Sequence, residues 1–106
     1  MIEGTKFEFP RDWRAFNRGK LAKFDEPRLL QLKAFVENQL GKETRDRIRA
    51  MAVANPEWWV LYHFGWMMSF RNLLRDGGFG ERELGVENLD DYAVPILEYA
   101  LGVIEP

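Results

Sequence analysis

The chain contains one histidine, His63. Imidazole is the side chain whose ordinary pKa, about 6.5, lets it exchange protons near neutrality. To work as a general base it needs a second group that orients its ring. Arg71, Asn72 and the pair Asp90-Asp91 are the polar groups that follow it. If a helix runs unbroken from about Pro56 to Arg75, Arg71 stands roughly 80° round from His63 and roughly 12 Å along the axis. Asn72 then stands roughly 180° round, on the opposite face. These three do not converge, so each is expected to anchor a different neighbour. His63 remains the only catalytic candidate, and would have to reach Asp90, Asp91 or Glu57 through tertiary contact.

Asp90-Asp91 could serve as paired carboxylates, but no second histidine or acid stands at ligand spacing, so no metal site is expected. The simpler expectation is that they start a helix, where negative charge is favoured. Arg71 is expected to pair with one of them and tie the last helix to the third. If buried, such a pair costs about 3–5 kcal/mol to break from one side. Gly77-Gly78-Phe79-Gly80 lacks the Lys-Ser/Thr of a phosphate loop and follows a helix, so it reads as a helix stop. Ser69 sits in no nucleophile elbow. Met67-Met68 with Trp59, Trp66 and Phe70 reads as core rather than as a cofactor pocket, and no cofactor is expected.

The string His63-Phe64-Gly65, then Arg71-Asn72, then Asp90-Asp91 ahead of a closing helix, resembles a DUF6794-like family of small uncharacterised bacterial proteins. The likeness spans roughly residues 41–101. It leaves out everything before Pro27. The chain departs from the family pattern at Met67, where a second glycine is usual, and at Ala93, where a serine often follows the acidic pair. The resemblance implies a fold and no activity.

Four Trp, eight Phe and three Tyr in 106 residues are more aromatics than a small core requires. Trp13, Phe16 and Trp58 are therefore the candidate interface anchors. Trp13 and Phe16 lie in the stretch from Arg11 to Lys23, which carries five basic residues and one acid. Basic residues interleaved with rings are what single-stranded nucleic acid requires, although the sequence pI is near 5.4.

The elements that must position these groups follow from periodicity and punctuation. Residues 1–26 read as an irregular arm: Phe7 and Phe9 flank Glu8, Pro10 ends any strand, and Asp12 can cap a short turn through Phe16. Residues 27–106 read as the helical domain. A helix starting at Glu26-Pro27 carries Leu29, Leu32, Val36 and Leu40 at helical spacing and stops at Gly41. An Arg-rich helix from about Glu43 to Ala54 buries a narrow stripe of Ile48, Met51 and Ala52. Asn55-Pro56-Glu57 opens the third helix, apolar nearly all round and therefore expected at the centre. Its Gly65 implies close approach by a backbone or a ring. The last helix starts near Asp90-Asp91, with Pro95 in its first turn and Ile96, Leu97, Ala100, Leu101 and Ile104 on its buried side.

The expected fold is thus a small single-domain all-α bundle of about four helices around a central apolar helix. Its apolar run from Trp58 to Phe70 is shorter than the about 20 residues of a membrane span. The opening residues carry no apolar signal-type stretch, so the cytoplasm is the expected compartment. Without cysteine there is no disulfide, thiolate metal site or Cys nucleophile. Residues 1–75 carry a net +5 and residues 76–106 a net −7, which suits an acidic C-terminal third folded back on a basic body. The functional expectation is a non-enzymatic module binding another protein, with a homodimer kept open. A small enzyme using His63 is the alternative, and a nucleic-acid binder through the basic arm is the next.

Overall fold

A computed structural model describes residues 12–62 and 65–106, without the side chains of residues 61 and 62. Among the described residues all regular structure is helical. The elements are α1 (Trp13–Leu21), α2 (Glu26–Gln39), α3 (Lys42–Ala54), a 3-10 segment (Trp58–Tyr62), α4 (Trp66–Asp76), α5 (Glu81–Leu84) and α6 (Asp90–Ala100). The all-α fold is as expected from the sequence, and three features differ from the expectation.

The first is the N-terminal arm. Residues 13–21 form a regular helix, capped by the Asp12 carboxylate accepting from the Ala15 amide at 3.0 Å. This helix packs against α6, burying Leu21 and Asn17. A division at residue 26 therefore does not separate an arm from a domain. The alternation around Glu8 and the break at Pro10 lie outside the described residues.

The second is the third helix. It is two elements: the 3-10 segment and α4, with Gly65 as the residue before α4 (φ −112°, ψ −88°). A Cβ added at Gly65 would meet nothing within 4 Å among the described residues, so none of their rings or backbone closes on it. Close approach occurs instead at Gly77, where an added Cβ would run into the Phe35 ring. Phe35 in turn packs on Phe79, with centroids 5.1 Å apart. Gly77 and the left-handed Gly78 (φ 89°) turn the chain out of α4, and the Phe79 amide donates back to the Leu74 carbonyl at 2.8 Å. Once separate, α4 is amphipathic: Met67, Phe70 and Leu74 are buried at helical spacing, and Met68 is exposed.

The third is the centre of the bundle. It is α6, which packs against α1, α2 and α4. It buries Ala93, Pro95, Ile96, Leu97, Glu98 and Ala100, most of its circumference. Small residues at 93 and 100 let neighbours approach from several sides, which bulky Trp and Phe side chains on residues 58–70 do not permit. Pro95 falls in the second turn of α6 rather than the first, since the helix begins at Asp90. Having no amide, it offers no bond to the Asp91 carbonyl one turn back.

The start of α6 is built by residues other than the aspartates. The Asn88 side-chain oxygen accepts from the Asp90 amide at 3.0 Å, and the Glu81 carboxylate accepts from the Leu89 amide at 3.2 Å. Asp90 and Asp91 are thereby left in the first turn with their carboxylates turned to other work.

Replacing Gly77 by Ala should force the Phe35 ring to move and cost about 1–3 kcal/mol by urea denaturation, as overpacking does. Gly65→Ala should cost clearly less. Equal losses at the two positions would show that the Phe35 contact does not matter.

Candidate functional site

Two turns of α1 carry the first wall of the site. Trp13, Phe16, Asn17 and Lys20 follow the i, i+3, i+4, i+7 pattern and fall on one face. Asn17 is buried beneath the others and its side-chain amide donates to Glu98 at 2.7 Å. Glu98, 0% exposed, lies in α6. Its second oxygen accepts from the Trp58 indole N–H at 2.9 Å. One buried carboxyl group thus receives two neutral donors, from α1 and from the 3-10 segment.

That arrangement opens a groove between α1 and α6 with a cavity volume of about 250 Å³. Trp13, Phe16, Asn17 and Lys20 form its α1 side, and Trp59 lines it from the 3-10 segment. On the α6 side stand Asp90, Asp91, Val94 and Pro95. Trp13 meets both other rings edge-to-face: Phe16 at 5.6 Å and 85°, and Trp59 at 5.1 Å and 79°. Edge-to-face packing of this kind suits aromatic quadrupoles and leaves corners between ring faces. Phe16 is 44% exposed. The Lys20 ammonium lies 5.4 Å from the Phe16 centroid and 5.2 Å from that of Tyr92, both cation–π distances.

The two aspartates at the groove mouth differ. Arg71 donates through one nitrogen to both Asp90 oxygens, at 2.9 and 3.1 Å. The Arg71 side chain is 16% exposed and that of Asp90 45%. The pair is therefore half-open to solvent, and a value nearer about 1 kcal/mol replaces the larger figure for a fully buried pair. A second Arg71 nitrogen reaches the Asn72 side chain at 3.4 Å, while its Nε is buried without an acceptor among the described residues. Asp91 is exposed and has no ion pair among the described residues.

Behind the groove, Arg75 at the end of α4 grips Glu81 at 3.0 and 2.6 Å. This pairing, with two backbone amides, holds the Glu81 carboxyl down at about 2. Since Glu81 also receives the Leu89 amide, it joins α4 and α5 to the start of α6 and so steadies Asp90 and Asp91.

The structure brings together Trp13, Phe16, Asp90 and Asp91, with Arg71 behind Asp90. Trp58 is not among the surface groups. It is 3% exposed, drawn inward by its bond to Glu98, and its neighbour Trp59 lines the groove instead. His63 lies outside the described residues, as does Phe64, and without a continuous helix its angular relation to Arg71 no longer follows. Of the basic residues from 11 to 23, Arg14 donates to the Ala52 carbonyl and Lys20 lies over two rings, so neither forms part of a free basic strip. Among the described residues no group of His, Cys, Asp or Glu could hold a metal ion.

Sequence reasoning missed Asn17, Lys20, Trp59, Val94, Pro95 and Glu98. Glu98 had a visible signal: it lies four residues after Val94 and three before Leu101, an acid on an apolar stripe. Asn17 and Lys20 depended on α1 continuing past Phe16, and Trp59, Val94 and Pro95 on how α1 and the 3-10 segment pack around α6. No protein-family model matches the chain, and no curated protein or solved structure matches it.

Glu98→Ala should strand two buried donors and leave a cavity, costing about 3–5 kcal/mol in chemical denaturation. Glu98→Gln should stay within about 1 kcal/mol of wild type, because its amide can accept from Trp58 and donate to a flipped Asn17 side chain. Wild-type stability for the alanine variant would contradict this account. The Glu81 pairing has a pH signature. A carboxyl lowered from 4.5 to about 2 contributes stability above the higher value, lost as pH falls through the lower. Wild type should therefore exceed Glu81→Gln in thermal stability at pH 7, with the gap closing between pH 4.5 and 2 and shrinking in salt.

Proposed function

We propose that this chain is a non-enzymatic interaction module that binds another protein through the groove between α1 and α6. The observation that supports it is a groove lined by three aromatic side chains, with Phe16 44% exposed. Buried aromatics bound by a polar rim are the usual anchors of protein interfaces. Val94 and Pro95 supply further apolar surface, and Lys20 and Asp91 supply the rim. No helix among the described residues is long and apolar enough to cross a membrane, and the cytoplasm is the proposed compartment. Kinship with the DUF6794-like proteins belongs to the same proposal and adds no activity to it. No observation favours catalysis by His63 or nucleic-acid binding through the basic stretch.

The reading is tested by placing a photo-crosslinking phenylalanine analogue at Phe16 and, as a control, at exposed Glu43 on α3. In the protein's native cells, position 16 should give a discrete adduct that position 43 does not. Val94→Trp, which fills the groove, should abolish that adduct without lowering the melting temperature. The same adducts at both positions, or none at position 16, would overturn the reading.

A further inference from the structure

We draw no further inference here: the strongest candidate, the depression between α2, α3 and the end of α6 that Lys33, Arg45 and Arg49 share, carries nothing, because Glu37 and Asp46 line it too and both arginines are engaged with the carbonyls of Leu40 and Leu101 at the ends of α2 and α6.

Discussion

The buried Glu98 carboxyl group is the interaction on which the rest of the arrangement depends. It sits inside the most enclosed helix of the bundle and reaches two partners that are remote in sequence, Asn17 by 81 positions and Trp58 by 40. An apolar residue at 98 would let α1 and the 3-10 segment slide or rotate on α6 at little cost, because hydrophobic contact is non-directional. A carboxyl with two fixed acceptors does not allow it. Any displacement leaves a buried N–H without an acceptor, and that penalty exceeds what a well-made hydrogen bond contributes. The groove inherits its shape from this constraint: Asn17 fixes the rotation of α1, and with it Trp13, Phe16 and Lys20, while Trp58 fixes the turn that delivers Trp59.

A second set of constraints explains where the uneven charge goes. Arginines reach carbonyls at the ends of helices from elsewhere in the chain: Arg14 to Ala52, Arg45 to Leu40 and Arg49 to Leu101. Terminal carbonyls have no helical donor and carry the negative end of the helix dipole, so a guanidinium satisfies both needs. Arg71 and Arg75 bind Asp90 and Glu81, and Arg28 donates to the Glu83 carbonyl at 3.3 Å. Among the described residues two ion pairs, Arg71–Asp90 and Arg75–Glu81, join the basic body to the acidic C-terminal third. In the basic stretch Arg14 and Lys20 are engaged within the molecule, whereas Arg18 and Lys23 are exposed.

Much of the architecture was legible from punctuation. Glu26-Pro27, Gly41, Gly77-Gly78 and Asp90 mark helix ends within a residue or two of where they lie. The break near Gly65 and the centrality of α6 were not legible, for a common reason. Hydrophobicity alone points to the stretch from Trp58 to Phe70, which is richer in aromatics than residues 90–100. Centrality also requires that neighbours approach closely on several sides, which favours Ala93 and Ala100 over indoles. At the site, Trp13 and Phe16 were recognisable by type, and Asp90 and Asp91 by position. Their meeting across α1 and α6 was not, since it depends on a hydrogen bond between residues 17 and 98.

The fate of Trp58 and Trp59 shows how the break creates the site. In a straight α-helix adjacent residues differ by about 100°, and two neighbouring indoles would compete for one interface or split between core and solvent. Here the segment tightens into a 3-10 turn. Trp58 faces Glu98 and joins the core, whereas Trp59 packs edge-to-face on Trp13 and lines the groove. A continuous helix from Pro56 to Arg75 would have carried these residues along one rod. About 120° apart in this turn, the two indoles fall one in the core and the other in the groove wall. The irregular backbone is used where a groove must be lined, and regular helix is kept where the bundle must be packed.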